Sequence, residues 1–221
     1  MAETLTSALL ARRAGVRHGF SPVLGTVPAW RPKQVHGAAV AEPAGEGVPA
    51  DAVLSRADGP MVGVVTADCV PLLIAAEGGV AVAAVHAGWR GLAEGVVEAA
   101  VERLRTAAPG RALVAAVGPA AGGCCYEVGP DVIAALAPAA ARVAPGPRGR
   151  PLLDLRGVTV DRLLAAGLAP DAIERVGPCT ICSAAWPSYR REGDRAGRAL
   201  AFIAPASSTG EFRPGRPPAA P

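Results

Sequence analysis

Hydrophobic positions along this chain fall into short runs rather than long periodic stretches, and the sharpest pattern lies between residues 61 and 91. Two aliphatic runs, Val70–Ala76 and 80–85, are separated by Glu77-Gly78-Gly79, which predicts a β-hairpin. A Gly78-Gly79 loop sets Cys69 opposite Gly88 and Pro71 opposite His86, so Cys69 and His86 become diagonal neighbours on one face. A Glu77-Gly78 loop sets them directly opposite. Either register leaves roughly 5–8 Å between their β-carbons, close enough to share one metal ion or one proton.

Beyond the hairpin, Gly88-Trp89-Arg90-Gly91 leads into 92–107, where Leu92, Val96, Val97, Ala100, Val101 and Leu104 recur at helical spacing and predict one helix. Residues 112–117 read as a strand ending in Gly118-Pro119, followed by a glycine-rich turn with Cys124-Cys125-Tyr126-Glu127. Pro130 starts a short helix over 131–136, and 138–151 read as loop. Residues 152–155 lead to a helix near 158–166, and Asp171 starts another turn. The segment 179–197 is irregular and polar, and 198–203 alternate as a closing strand. Toward the N-terminus, 17–21 open a strand, 22–32 are loop-like, and the next apolar run begins at Asp51-Ala52-Val53-Leu54. With no repeat and no internal linker, one domain over 1–204 is expected, then a disordered Pro- and Ser-rich tail over 205–221.

Composition narrows the class. A chain of 221 residues, 51% of them hydrophobic, can bury a sizeable core, although Ala and Val dominate and aromatics are few. A net charge of +3 without a basic run points away from nucleic acid. The N-terminus has acid before base and only Ala8-Leu9-Leu10-Ala11 as an apolar run, a poor signal peptide. No stretch approaches the ~18 apolar residues that span a bilayer. A cytoplasmic protein with reduced thiols and no membrane partner is expected. Five cysteines, two of them adjacent, do not form a disulfide framework.

Candidate chemistry starts from scarcity. Of three histidines, two sit beside glycine at the ends of apolar runs, in Gln34-Val35-His36-Gly37 and Val85-His86-Ala87-Gly88. Glycine there allows backbone or substrate to come close. Each histidine alone reads as a hydrogen-bonded structural residue; together with Cys69 the balance moves. Two imidazoles and one thiolate leave the fourth position of a tetrahedral zinc open, the ligand count of a catalytic site. Their separations match no local zinc motif, so the fold must bring His36 in.

Copper fits less well, because a blue-copper site wants an axial methionine and only Met1 and Met61 exist, while a multicopper site needs more than three histidines. Arg90 and the amides of 88–91 read as an anion site or as a plain helix cap with a surface arginine. Asp68 reads either as a carboxylate orienting a histidine or as the end of a strand. Cys124-Cys125 read as small buried hydrophobes, and Cys179-Thr180-Ile181-Cys182, as a lone pair, is weak evidence for zinc. Tyr189, Arg190 and Arg191 read as substrate contacts or as an exposed polar loop.

As an ordered set, these segments resemble a known family. Lys33-Gln34-Val35-His36-Gly37, Thr66-Ala67-Asp68-Cys69-Val70-Pro71-Leu72, Val85-His86-Ala87-Gly88-Trp89-Arg90-Gly91, Gly118-Pro119, Cys125-Tyr126-Glu127-Val128-Gly129, Cys179-Thr180 and Ser188-Tyr189-Arg190-Arg191 resemble the YfiH family. Its members are also called laccase-domain or polyphenol oxidase proteins and, in bacteria, peptidoglycan editing factor. The resemblance runs from about residue 17 to 204. It implies an α/β single domain with mixed β-sheets flanked by helices, of cysteine-hydrolase-like architecture. It also implies a zinc site of His36, Cys69 and His86, and purine nucleoside phosphorylase activity on adenosine, inosine and methylthioadenosine. Adenosine deaminase activity and a link to peptidoglycan precursor editing are implied too.

The chain departs from the family after Phe20-Ser21. Pro22-Val23-Leu24 replaces a Thr-Arg-Gly-Gly-type segment, leaving the arginine of that segment without a counterpart. Near the C-terminus, Ala185-Trp186-Pro187 precedes Ser188-Tyr189-Arg190-Arg191.

The leading expectation is a zinc enzyme for purine nucleosides, acting as a monomer or small homo-oligomer, with His36, Cys69 and His86 catalytic and Arg90, Tyr189 and Arg190 binding substrate and phosphate. The alternatives are a metal-free hydrolase with Cys69 as nucleophile and His86 as base, and a non-catalytic partner of cell-wall enzymes.

Overall fold

A computed structural model describes residues 3–25, 27–136 and 142–208. The hairpin is its centre. β5 (Val70–Ala76) and β6 (Ala81–Ala87) pair antiparallel with Val70 opposite Ala87 and Pro71 opposite His86, the register of the Gly78-Gly79 loop. Around them the chain supplies, in order, α1 (Ala8–Ala14), β1 (Arg17–Ser21), β2 (Val40–Ala41), β3 (Ala52–Arg56) and β4 (Val62–Thr66). After the hairpin come α2 (Trp89–Glu94), α3 (Val96–Ala107), β7 (Leu113–Val117), α4 (Pro130–Ala135), β8 (Val143–Ala144), β9 (Leu152–Leu153) and α5 (Leu155–Ala165). β10 (Ile173–Arg175), α6 (Tyr189–Glu192) and β11 (Ala199–Ala204) complete the fold.

A six-stranded sheet runs β10-β7-β5-β6-β3-β2, a three-stranded sheet runs β1-β11-β4, and β8 pairs with β9. The large sheet is mixed. Its middle pairings are antiparallel, whereas β10 with β7 and β2 with β3 are parallel. The result is a single α/β domain with mixed sheets and flanking helices.

Every residue of β5 and β6 is buried, because both faces of the sheet are covered. That explains runs without polar alternation. Leu72, Ile74 and Val85 face the helices and pack with Val97, Val101 and Leu104 of α3. Leu73, Ala75, Val82 and Ala84 face the small sheet and pack with Val64, Ala201 and Ile203. The hairpin is therefore sandwiched, and its open end carries chemistry into a rigid frame.

Several expectations are corrected. The single helix over 92–107 is two helices, broken at Gly95, whose φ of 89° ends α2. α1 has no clear signal in the sequence, because seven residues are too few for a periodic pattern; its mark is Ser7, whose Oγ accepts the Leu10 N–H at 3.0 Å. Within the expected loop 138–151, Val143 and Ala144 form β8, while 137–141 lie outside the described residues. β10 follows the turn near Asp171, and its pairing with β7 is long-range and invisible locally. α6 interrupts the segment expected to be irregular. At the start of the tail, the Ala206 N–H donates to the Gly79 carbonyl at 3.0 Å; the remainder, 209–221, lies outside the described residues. Among the described residues no helix is long and apolar enough to cross a membrane.

Candidate functional site

Three separate elements deliver the site. His86 is the penultimate residue of β6, Cys69 immediately precedes β5, and His36 lies in the loop before β2. Their ligand atoms lie within 4.8 Å of one another, and the two imidazoles meet edge to face with centroids 4.8 Å apart. His86 is buried, Cys69 half-buried and His36 exposed, so solvent reaches the group chiefly on the His36 side.

Asp51, which in the sequence looks like no more than the start of an apolar run, organises this group. Its fully buried carboxylate accepts the amide N–H groups of Val35, His36 and Gly37 at 3.1, 2.9 and 2.7 Å, and the His86 Nδ1–H at 2.7 Å. Three successive amides on one carboxylate hold His36 at a φ of 65°, a conformation that non-glycine residues seldom adopt. Fixing Nδ1 of His86 leaves its Nε2 as the ring atom available to Cys69 or a metal, an arrangement typical of ligating histidines. Gly88 closes the floor. A β-carbon there would sit 3.2 Å from the His36 ring and 3.3 Å from the Cys69 sulfur, so a side chain would press into the group.

Electrostatics follow from this packing. Burial pushes the Cys69 thiol up, but hydrogen bonds and charge from His36 and His86 outweigh it and bring its pKa down to about 6. Burial pushes His86 down, yet Asp51 and Cys69 raise it to about 9. Burial also raises Asp51, and its hydrogen bonds from His86, Gly37 and Val35 hold it below the usual carboxylate range. Thiolate and imidazolium stabilise each other. The third histidine is structural: His18 Nδ1 donates to the Val16 carbonyl and Nε2 accepts the Ser7 N–H, both at 2.9 Å.

The group lines a cavity of about 490 Å³, shared with Gln34, Trp89, Arg90, Tyr126, Tyr189, Arg190 and Arg198; small-molecule sites span about 300–1,000 Å³. All three expected substrate contacts, Arg90, Tyr189 and Arg190, line it. Arg90 stacks on Trp89 at 4.3 Å, and Arg190 lies 4.7 Å over Tyr126. Arg198 and Tyr126 line the cavity too, although in the sequence the first reads as a strand start and the second as part of a turn. Gln34 anchors the His36 loop through a reciprocal pair of 2.8 Å hydrogen bonds with the backbone of Val65.

Asp68 does not orient a histidine. Its carboxylate accepts the Thr180 and Ser188 hydroxyls at 2.6 and 3.1 Å and the Arg190 N–H at 2.7 Å, which ties the 180–190 segment to the hairpin. The buried carboxylate beside the histidines is Asp51 instead. Arg191 is not free for substrate either: its guanidinium donates to the carbonyls of Thr180, Ile181, Ser183 and Trp186. Trp186 itself is core. The cysteine pairs also differ from expectation: Cys124 and Cys182 are exposed, and Cys124, Cys125, Cys179 and Cys182 converge on one point.

Two imidazole nitrogens and one sulfur, with a carboxylate behind one ring, suit a borderline-soft divalent metal with an open position. Met61, the sole methionine among the described residues, is buried with Leu200, Phe202 and Ala204 and does not line the cavity.

The fold and site thus define an α/β domain with a three-residue His/Cys centre at the base of a small-molecule cavity. Residues 16–206 match the family described as multi-copper polyphenol oxidoreductase laccase, and the chain belongs to this laccase-domain, or YfiH, family. It is 38% identical over 199 residues, 81% of this chain and 74% of the other, to a protein of Xylella fastidiosa named purine nucleoside phosphorylase. It is 36% identical over 169 residues, 73% of this chain and 64% of the other, to a protein from an unknown prokaryotic organism named adenosine deaminase RL5. The crystal structure of YlmD from Geobacillus stearothermophilus superposes with a TM-score of 0.72 at 32% identity, covering 81% of this chain and 73% of that one.

Proposed function

We propose that the chain is a zinc-dependent enzyme acting on purine nucleosides, with phosphorolysis of adenosine, inosine and methylthioadenosine as its reaction and adenosine deamination as a second activity of the same site. The observation that carries the reading is the cavity's composition: a His36, Cys69, His86 group at its base, three arginines around it, and one carboxylate, Asp68, that is consumed by internal hydrogen bonds. Such a wall is net cationic and suits phosphate beside a neutral nucleoside. The names of the Xylella and RL5 relatives point to the same substrate class.

His36, Cys69 and His86 would hold the zinc, and Asp51 would keep His86 in the tautomer that ligates through Nε2. A bound zinc ion supplies Lewis acidity toward the reacting groups. Arg90, Arg190 and Arg198 bind phosphate and aim an oxygen at ribose C1′, where the C–O bond forms as the C–N bond to the purine breaks and the proton of hydrogenphosphate ends on the departing purine nitrogen. Tyr189, half of its surface exposed, offers an aromatic face for the base. Copper is disfavoured by the absence of an axial methionine among the described site residues.

A second reading rests on a specific feature. Cys69, His86 and Asp51 form a thiol–imidazole–carboxylate chain with a Cys69 pKa near 6, the disposition of a cysteine nucleophile with its base. One experiment separates the two. Metal content and adenosine turnover are measured on wild type and Cys69→Ser, following adenine and inosine with and without phosphate and with a chelator. The zinc reading expects about one zinc at this site and phosphate-dependent adenine release that disappears with the chelator and in Cys69→Ser. Turnover that survives metal removal but not Cys69→Ser selects the hydrolase. Turnover persisting in Cys69→Ser overturns both, and metal without turnover in wild type moves the protein to a binding role.

A further inference from the structure

Four of the five cysteines form a second group that the cavity does not use. Cys182 Sγ lies 3.1 Å from Cys125 Sγ and 3.6 Å from Cys124 Sγ, and all four sulfurs, with Cys179, lie within 4.8 Å of one another. A tetrahedral thiolate centre with metal–sulfur bonds of about 2.3 Å sets its sulfurs about 3.8 Å apart, within the spread seen here. Disulfides would draw the sulfurs together two by two, whereas Cys182 approaches both adjacent cysteines. Packing does not explain the group either, since Cys124 and Cys182 are exposed.

The backbone around these thiols is already arranged. The Gly122 N–H donates to Cys179 Sγ at 3.2 Å, a bond that favours thiolate. The Thr180 N–H donates to the Ala120 carbonyl at 3.0 Å, which joins the two cysteine-bearing segments. Arg191 grips the turn between Cys179 and Ser183 by three carbonyls and places a positive charge beside a centre that would carry excess negative charge.

We propose that Cys124, Cys125, Cys179 and Cys182 bind one zinc-class divalent cation as a closed four-thiolate site that clamps residues 120–127 onto 177–191. Binding forms four metal–sulfur bonds and releases the thiol protons to solvent. Four protein ligands leave no position for substrate, so the role is structural, and an all-sulfur shell selects against magnesium and calcium. The clamp acts on the cavity wall: Tyr126 follows Cys125 directly, and the Thr180 hydroxyl holds Asp68. The two segments are more than fifty residues apart in sequence, as the Cys125–Cys182 separation of 57 records, so a cross-link between them restrains a long loop.

The test uses the full chain carrying Cys69→Ser, which removes the only thiolate of the other group. Loaded with Co²⁺, this protein is expected to bind about one equivalent with intense thiolate-to-cobalt charge-transfer absorption, lost when Cys182→Ser is added. Folded Cys69→Ser protein without that absorption overturns the proposal. A second measurement covers variants that fail to fold. In wild type loaded with Zn²⁺, the four cysteines are expected to resist alkylation until a chelator is added; equal alkylation with and without Zn²⁺ overturns the site. Amide exchange in 120–127 and 177–191 of the Cys69→Ser protein is expected to quicken on chelation, and unchanged exchange overturns the clamp. Failure of the nucleoside site is read separately, as absent adenosine turnover in wild type.

Discussion

At position 51 a fully buried carboxylate accepts four hydrogen bonds, three from consecutive amides of the His36 loop and one from His86. It thereby fixes two of the three candidate ligands, while the third, Cys69, is set by the hairpin. Replacing it with Asn keeps the size but turns an N–H group toward amides that are themselves donors. Asp51→Asn is therefore expected to lower metal affinity by about 10–100-fold, the usual loss when the partner of a ligating histidine is removed. Chelator competition on the purified variant reads this directly, and wild-type retention of metal would remove Asp51 from the site. His36, Cys69 and His86 were all legible as candidates from rarity and glycine flanks. Asp51 was not, because an acid at the start of an apolar run looks like any strand boundary.

Among the elements, the break between α2 and α3 shows how a local signal is overridden. The periodicity of Leu92, Val96, Val97, Ala100, Val101 and Leu104 is real, and all six side chains are buried. One residue, Gly95 at φ 89°, nonetheless ends the first helix, with its N–H bonded back to the Leu92 and Gly91 carbonyls. The turn lets α2 lie over the site loop, where a β-carbon on Gly91 would meet the Gly37 carbonyl at 2.8 Å. A β-carbon at Gly95 meets nothing closer than 3.7 Å, so the cost of Gly95→Ala is backbone conformation alone, roughly 1–2 kcal/mol. For a domain of this size that is expected to lower Tm by about 2–8 °C; an unchanged melt would mean that α2 and α3 can fuse at little cost. The hairpin is the opposite case: its glycine pair marks the turn and leaves two loop placements open, and the structure adopts the Gly78-Gly79 register.

For the molecule as a whole, the alanine-rich composition has a geometric use. Where the two sheets face each other, Ala75, Ala84, Ala116 and Ala201 are all buried in one cluster, and small side chains let the sheets approach closely. The same cluster carries Leu10 of α1 and Phe20 of β1, so the N-terminal segment is part of the core. Ala84→Leu is expected to destabilise the protein by about 1–3 kcal/mol through overpacking, read as a lower urea midpoint with an unchanged m-value. A neutral result would mean that the sheets are not in close contact there. The arginines at the cavity, Arg90, Arg190 and Arg198, come from α2, α6 and the approach to β11, so the cationic wall is likewise a product of assembly.

Local sequence determined the parts whose partners lie nearby: the hairpin to within two registers, the strand 113–117, the short helix after Gly129, and the closeness of Cys69 to His86 at the hairpin's open end. Turn chemistry and side-chain period act over a few residues, and those features need nothing more. Tertiary structure alone decided which distant segments meet. Asp51 and His36 reach the hairpin because β3 pairs with β6. Asp68 faces Thr180 and Ser188 rather than a histidine because the chain returns across the hairpin's open end. Cys124-Cys125 and the Cys179/Cys182 pair, each uninformative alone, converge because β10 lies parallel to β7 and the bridge between Ala120 and Cys179 continues that pairing. Such contacts depend on strand order and on which faces are buried, quantities summed over the whole chain rather than written in any window of it.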